Sequence, residues 1–283
     1  MGTTVLVLGA TGRTGRRLVA ELLKRGAAVR AASRKPGRPT PGVEPVRFDW
    51  SDRGTYGPAL EGADGVYQVL QPAAADPSED VTALLDAAAT AGVRRLVHLS
   101  NATAHLLSDD FPMRRVEHLV ETSPVPSTIL RPNVFDEIFT EHSAIVQGVR
   151  EGVVAVPAGD GRVAPVSVAD VAAVAAVALT EDGHEGKTYA PTGPDALSFA
   201  ELTDIVSAST GRQVRYQPLT LDEFRSTALG AGVPVHVVDF YAAMYDGIRR
   251  GWAAQPTDDV LHVTGRAPIA FAEYAGSAAE AWR

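Results

Sequence analysis

Three glycines, each three residues after the last, follow directly on an aliphatic run in the segment Val5-Leu6-Val7-Leu8-Gly9-Ala10-Thr11-Gly12-Arg13-Thr14-Gly15. After a strand and before a helix, such glycines let a pyrophosphate approach the backbone. Gly9 would make the sharp exit from the strand, Gly12 would leave room for the phosphates, and Gly15 would let the helix pack closely. The helix N–H groups and dipole favour anions. A dinucleotide site is therefore predicted, with a ligand-free turn as the alternative; its other members are Thr11, Arg13 and Thr14.

The end of the predicted second strand indicates which dinucleotide would bind. This strand, Ala28–Ala32, runs into Ser33, Arg34 and Lys35. Sites that prefer NAD usually place an acidic residue there to hold the ribose 2′-hydroxyl. A hydroxyl and two cations suit a 2′-phosphate instead, because a guanidinium can contact phosphate with two parallel hydrogen bonds. NADP(H) is therefore the preferred cofactor, with NAD(H) as a second choice; a solvated basic loop without a ligand is the alternative.

The glycine turn and the basic segment must lie at the same edge of a sheet to bind one ligand, and the sequence pattern predicts such a sheet. Short aliphatic runs alternate with segments of helical periodicity as far as about residue 131, as in a parallel sheet covered by helices. The fold class is therefore α/β, a doubly wound parallel sheet of the Rossmann type. The predicted strands span 4–8, 28–32, 43–48, 65–70, 93–99 and 126–131.

The texture of the sequence changes at about Glu151, where prolines and glycines mark turns between short strands. We expect a nucleotide-binding domain over 1–150 and a smaller, mixed substrate-binding region over 151–283, part of which could return to the main sheet. Capping boxes predict helix starts at Ser167, Ser198 and Thr220. Several apolar side chains near the C-terminus suit either a pocket lining or an ordinary core: Phe240, Tyr241, Met244, Tyr245 and Trp252.

Composition and charge bound the function further. The 283 residues carry 26 basic and 34 acidic side chains, a net charge of −8, and no long Lys/Arg block, so nucleic acid is not an expected partner. The absence of cysteine removes disulfides, thiolate metal sites and Cys nucleophiles. The longest apolar run, Val171–Leu179, is too short to cross a bilayer, and no signal peptide is evident. We expect a cytoplasmic protein without membrane contact, as a monomer or homodimer.

Metal and hydrolase chemistry have no motif in this sequence. The seven histidines show no metal-ligand spacing, and no Gly-x-Ser-x-Gly nucleophile elbow occurs. The segment Gly186-Lys187-Thr188 looks like the end of a P-loop, but Glu181 stands where that loop needs its first glycine. No metal site is predicted.

The glycine turn and four later segments resemble the NmrA-like group of atypical short-chain dehydrogenases/reductases. That group includes NADPH:quinone oxidoreductases, triphenylmethane reductase, isoflavone-reductase relatives and the redox-sensing regulator NmrA. The resemblance covers the whole chain, most firmly to about residue 135, and it implies an NAD(P)-binding oxidoreductase. The four later segments are Phe48–Asp52, Ala91–Ser100, Thr128–Phe135 and Val166–Ala172.

The same resemblance implies where the ligands would lie. Asp49 would lie near the adenine, and Leu70, Gln71 and Pro72 would pass the ribose and nicotinamide. All these positions follow the carboxyl ends of predicted parallel strands, where open α/β sheets bind ligands. The residues that would border the nicotinamide and substrate follow the fifth and sixth strands: Ser100, Asn101, Pro132, Asn133 and Phe135.

The usual catalytic pair of short-chain dehydrogenases is missing. In Tyr-x-x-x-Lys, the lysine lowers the tyrosine pKa so that the phenol exchanges a proton with the reacting oxygen. The chain has only Lys24, Lys35 and Lys187, and none has a tyrosine four residues before it. Hydride addition to a quinone places charge on a delocalised oxygen, whereas an isolated ketone gives a basic alkoxide that needs a stronger acid. The missing pair therefore favours conjugated acceptors.

Candidate proton donors lie near the fourth and fifth strands. Asn101 and His105 fall on the loop after the fifth strand, and His105 could protonate a product near neutral pH because its unperturbed pKa is about 6.5; a solvent-facing histidine is the alternative. Tyr67 is more simply explained as a sheet residue. Glu117 and His118 fall in a predicted helix, where a surface role is expected.

Taken together, these features predict an NADPH-dependent reductase that transfers hydride to a quinone-like or conjugated aromatic small molecule. The first alternative is a non-catalytic NADP(H)-sensing regulator, which the missing Tyr–Lys pair would permit. The second is a biosynthetic tailoring enzyme on the same fold.

Overall fold

The structure, a computed structural model, describes residues 2–70, 76–141 and 143–282. The chain forms two compact units, Met1–Arg131 with Val168–Ala190, and Pro132–Ser167 with Pro191–Arg283. The sequence predicts a boundary near residue 150, after which part of the chain could return to the main sheet; in the structure the chain passes between the units three times, and the strand Thr188–Tyr189 pairs with the strand Ser127–Leu130. The physical reason is the helix that begins at Val168, because it is buried on nearly every side and belongs with the first unit.

The first unit is built on a seven-stranded parallel sheet with the order β3-β2-β1-β4-β5-β6-β9. The second unit contains a parallel pair, β7 with β11, and an antiparallel pair, β8 with β10. The strands are β1 Thr4–Val7, β2 Ala28–Ser33, β3 Val43–Arg47, β4 Gly65–Val69, β5 Arg95–Leu99, β6 Ser127–Leu130, β7 Val153–Val156, β8 Arg162–Val163, β9 Thr188–Tyr189, β10 Leu197–Ser198 and β11 Arg215–Pro218.

Eleven α-helices accompany these strands in the described residues. They are α1 Arg13–Lys24, α2 Tyr56–Leu60, α3 Ser78–Thr90, α4 Pro112–Glu121, α5 Ala144–Glu151, α6 Val168–Thr180, α7 Phe199–Thr210, α8 Leu221–Gly230, α9 Val235–Arg249, α10 Asp259–Thr264 and α11 Phe271–Ala278. The alternation of strand and helix as far as β6 confirms the predicted doubly wound fold, and each of the six predicted strands is present within two residues of its expected ends.

The core of the first unit follows from the two-residue period of its strands. Leu6, Val66 and Leu96 point to one face of the sheet, where they pack with residues of α3 and α4 such as Leu84 and Val120. On α1, the apolar stripe that includes Leu18 and Leu22 is fully buried. Strands covered on both faces carry near-continuous aliphatic runs, which is why the sequence pattern identified them.

The second unit has a separate, aromatic-rich core. Phe139, Phe199, Phe271 and Trp282 are all at most 2% exposed. The predicted capping boxes of α7 and α8 are present. In each, the hydroxyl of the N-cap residue accepts from the backbone amide three residues later, and the glutamate at that position accepts from the backbone amide of the N-cap residue. Of the predicted pocket residues, Tyr245 packs in this core, whereas Tyr241 is 43% exposed.

Within the described ranges, the longest helices are too short or too polar for a transmembrane span. The same residues contain no cluster of three His, Asp or Glu side chains arranged to hold a metal ion.

Candidate nucleotide-binding and active site

The glycine turn joins β1 to α1 with little space for side chains. Gly9 adopts φ +65°, a left-handed conformation that favours glycine, and an added Cβ there would lie 2.9 Å from Val69. A Cβ on Gly15 would lie 2.2 Å from the carbonyl oxygen of Gly9. The amide of Gly12 donates to that same oxygen over 2.8 Å. Gly9 and Gly15 are therefore required by the turn itself, and Gly15 packs against the turn rather than against the sheet.

The N-terminus of α1 has the features of an anion site. Gly12 is the N-cap residue, so no side chain caps the helix, and the first turn contains no acidic residue. Gly9, Thr11 and Gly12 are exposed. Helix N-terminal amides without a side-chain cap need a partner, and they favour a negatively charged one. The residues present thus fit a diphosphate, which would rest on backbone amides.

Two predicted members of this turn have other contacts. Thr14 is buried, and its side chain partly opposes the effect of burial on the pKa of Tyr67 on β4. The carbonyl oxygen of Arg13 accepts from Arg17 Nη1 over 3.0 Å. Burial raises the pKa of Tyr67 far above its usual value, so this phenol is a sheet residue and a poor proton donor.

The carboxyl ends of β2 and β3 lie side by side in the sheet. Ser33 ends β2, and Arg34 and Lys35 after it are exposed. Asp49, after β3, accepts hydrogen bonds from the backbone amide and hydroxyl of Ser51 over 3.0 and 2.8 Å. These bonds lower the pKa of Asp49, and the positive charge of Arg34 adds to the effect. A cationic end of β2 is thus available to a phosphate, while the Asp49 carboxylate closes its own turn.

The loop after β4 is only partly described. Leu70 is half-buried against the core of the first unit. Gln71 and Pro72, which the sequence places along the ribose and nicotinamide, lie outside the described residues. The role of this loop in binding cofactor stays a prediction.

The loop after β5 contains both predicted catalytic residues. Asn101 Oδ1 accepts from the backbone and side chain of Thr103, each over 2.9 Å, and its Nδ2 contacts the thioether of Met113. His105 is exposed at its residue surface, yet partial desolvation, aided by the charge of Arg131, lowers its pKa. His105 is therefore mainly neutral at pH 7, and a smaller fraction of it is protonated than of an unperturbed imidazole.

A buried ion network lies behind this loop, and it corrects the expected surface position of Glu117. Glu117 on α4 is 0% exposed. It accepts from the Ser100 hydroxyl over 2.6 Å, from Arg131 over 2.9 and 2.8 Å, and from Arg114 over 3.0 Å.

His118, the next residue on α4, is by contrast exposed as expected. The sequence contained a clue to the burial of Glu117: Met113, Val116, Glu117 and Val120 have the i, i+3, i+4, i+7 spacing of one helix face.

Two more polar side chains are buried beside this network. Gln68 and His98 are direct partners in the register of β4 and β5, both are 0% exposed, and their side-chain N and O atoms have no hydrogen-bond partner among the described residues. Burial lowers the pKa of His98 to about 4, although the Glu117 carboxylate opposes the shift. His98 is therefore neutral at physiological pH.

The residues from Pro132 to Ser167 belong to the second unit. Asn133 is buried, and its side chain donates to the carbonyl oxygen of Ala253 over 3.0 Å while accepting from the amide of Val134. Phe135 is half-buried and forms a β-bridge with Val166, and Pro132 is buried. Asn133 thus has a structural function within its unit, and the predicted contacts of all three residues with nicotinamide stay predictions.

These features define a Rossmann-type dinucleotide-binding protein. A family model described as the NmrA-like family matches residues 1–249. The (4-alkanoyl-5-oxo-2,5-dihydrofuran-3-yl)methyl phosphate reductase of Streptomyces griseus is 39% identical, with 98% of this chain and 99% of the relative covered. The NAD(P)H azoreductase of Xenophilus azovorans is 34% identical over 98% of this chain and 99% of its own.

Solved structures give the same result. An NADPH-dependent quinone oxidoreductase of Escherichia coli, solved with NADPH, superposes with a TM-score of 0.85 at 25% identity and covers 97% of this chain and 99% of its own. The chain therefore belongs to the NmrA-like family. It is an oxidoreductase of the atypical short-chain dehydrogenase/reductase type, as its sequence predicts.

Proposed function

We propose that this oxidoreductase uses NADPH to reduce a quinone-like or other conjugated small molecule. The observation that carries the proposal is the turn between β1 and α1, where Gly9, Thr11 and Gly12 are exposed and α1 begins with neither a side-chain cap nor an acidic residue in its first turn. Relatives described as a quinone oxidoreductase and an azoreductase act on conjugated acceptors, which supports the acceptor class.

The cofactor would be held at the carboxyl ends of β1 and β2. The amides after Gly12 would bind the diphosphate, and Arg34 and Lys35 would bind the 2′-phosphate, since both are exposed cations at the end of β2. Bound NADPH would supply the hydride. The preference for NADPH over NADH rests on Arg34 and Lys35, because no acidic residue ends β2.

The residues of the chain would then orient the acceptor and supply a proton. In the loop after β5, Asn101 would donate a hydrogen bond to the acceptor, and His105 would be the residue that supplies a proton. Water is a sufficient proton source for a conjugated acceptor, because the charge that hydride addition places on it is delocalised. Because the pKa of His105 is lowered, its protonated form assists mainly below neutral pH. Neither Tyr67, which is buried, nor Ser100, whose hydroxyl donates to Glu117, supplies this proton.

The test is anaerobic mixing of the protein with NADPH and a panel of benzoquinones, naphthoquinones, azo dyes and unsaturated lactone phosphates. Loss of the nicotinamide absorbance with at least one conjugated acceptor, and none with saturated ketones, is the expected result. Tight NADPH binding without turnover of any acceptor would contradict the proposal and favour a cofactor-sensing role. Turnover of saturated ketones as fast as that of conjugated acceptors would contradict the preference for conjugated acceptors that the missing Tyr–Lys pair predicts.

A further inference from the structure

The carboxylate of Glu117 is completely occupied. Its two oxygens accept four hydrogen bonds, one from Ser100, two from Arg131 and one from Arg114. A carboxylate offers about four acceptor sites. Burial raises the pKa of Glu117, but the bonds and charge of Arg131 and the bond from Ser100 outweigh it, so the pKa is lowered. Glu117 is therefore ionised, and the Ser100 hydroxyl donates a hydrogen bond to it.

This carboxylate joins the ends of two neighbouring strands. Ser100 directly follows β5 and Arg131 directly follows β6. The amide of Ser100 also donates to the carbonyl oxygen of Leu130 over 2.8 Å. Glu117 thus fixes the spacing of two strand ends at the sheet edge where open α/β sheets bind their ligands.

The same helix face also contacts the next residue of the loop. Met113 lies one turn before Glu117 on α4, and its thioether contacts the amide of Asn101. Asn101 in turn accepts from Thr103, which is 5% exposed. The turn after β5 is therefore held by α4 at two successive residues, at Ser100 through Glu117 and at Asn101 through Met113.

We propose that Glu117 is a positioning residue for the nicotinamide half of the cofactor, acting through Ser100 on the turn that begins at Asn101. The inference rests on the proposed function for the identity of the cofactor. Because the Ser100 proton is committed to Glu117, the serine oxygen can only accept a hydrogen bond from a ligand. Its partner would be the amide or a ribose hydroxyl of the nicotinamide half, and the adenine half would not depend on it.

The test separates the two halves of the cofactor by calorimetric titration. The probes are NADP⁺ and adenosine 2′,5′-bisphosphate, which lacks the nicotinamide half. Ser100→Ala and Glu117→Gln should each weaken NADP⁺ about tenfold, the effect usual for one lost hydrogen bond, and change bisphosphate binding less than about twofold. The double variant should be no more than about twofold weaker than Glu117→Gln alone, because its second change removes a bond already disrupted.

The matched control is Glu121→Gln, which removes the same charge one turn further along α4, where the side chain contacts Arg114 and, at 3.7 Å, Arg131, but not Ser100. It should bind both probes as the unchanged protein does.

Equal weakening of both probes by Ser100→Ala or Glu117→Gln would show general damage and overturn the inference. Unchanged NADP⁺ binding, or additive losses of NADP⁺ affinity in the double variant, would overturn it too. Ser100→Ala leaves the Glu117–Arg131 pair in place. If Glu117→Gln does not fold, the binding of the two probes by Ser100→Ala alone tests the inference. Failure of the proposed function is separate, since it appears as absent NADP⁺ binding or turnover in the unchanged protein.

Discussion

Two parts of the carboxyl edge of the same sheet are built in opposite ways: the glycine edge after β1, and the charged edge after β5 and β6. At the glycine edge, Gly9 and Gly15 leave no room for a Cβ, and the turn is exposed at Gly9, Thr11 and Gly12. At the ends of β5 and β6, the positions are fixed by side chains, with a fully buried carboxylate between two arginines and a serine. The first edge depends on the absence of a Cβ, whereas the second depends on complete pairing of buried charge.

The largest expected effect breaks the charged edge. Glu117→Ala removes the buried carboxylate that binds Arg131, whose side chain is 16% exposed, and leaves that arginine with the longer 3.7 Å contact to Glu121. Removing one partner of a buried pair costs about 3–5 kcal/mol of the free energy of unfolding. Urea denaturation measures it, and Glu121→Ala, at a side chain 34% exposed, is the control with an expected loss below about 1 kcal/mol. Equal losses for both variants would show that burial of Glu117 has no special weight.

The glycine edge is broken by Gly15→Ala. The new Cβ would lie 2.2 Å from a backbone oxygen that cannot move away alone, so we expect a loss of about 3 kcal/mol together with weaker NADPH binding. Gly276→Ala in α11 is the matched control, because nothing lies within 4 Å of its new Cβ. It should be neutral or stabilising by up to about 1 kcal/mol. A harmless Gly15→Ala would contradict the close packing of turn and helix.

The pH dependence of stability sharpens the description of the charged edge. His98 has a pKa of about 4 in the folded chain and about 6.5 when unfolded. The unfolded chain therefore binds more protons between these values, and the free energy of unfolding falls as the pH drops. We expect His98 to account for a loss of about 2 kcal/mol between pH 7 and pH 5. In His98→Leu this loss should be absent, as measured by urea denaturation at both pH values; an unchanged pH dependence would show that His98 is not buried neutral.

How much of this contrast the sequence predicts depends on the range of the interactions. The glycine turn and the strands were predicted correctly, because glycine spacing and aliphatic runs are local properties of the chain. The burial of Glu117 was missed because its partners Ser100 and Arg131 come from other strands. Its position between Val116 and Val120 on the apolar face was the available clue. The sequence also allowed part of the chain after residue 150 to return to the main sheet, but it did not identify α6 as part of the first unit, because the burial of that helix depends on tertiary contacts.

The smallest expected effect concerns the cation at the end of β2. Arg34→Ala should weaken NADPH about tenfold and NADH by less than about twofold, because only NADPH carries the 2′-phosphate. Arg38→Ala removes another exposed arginine from the same loop and should change neither affinity by more than about twofold. Equal weakening of both cofactors by Arg34→Ala would remove the assignment of the 2′-phosphate to this residue.

The most direct measurement is a calorimetric titration of the unchanged protein with NADPH and with NADH at fixed ionic strength. The bare turn between β1 and α1, followed by Arg34 and Lys35 at the end of β2, predicts that both bind and that NADPH binds at least about tenfold more tightly. Folded protein that binds neither nucleotide would contradict the account at its foundation, and tighter binding of NADH would contradict the assignment of the basic pair.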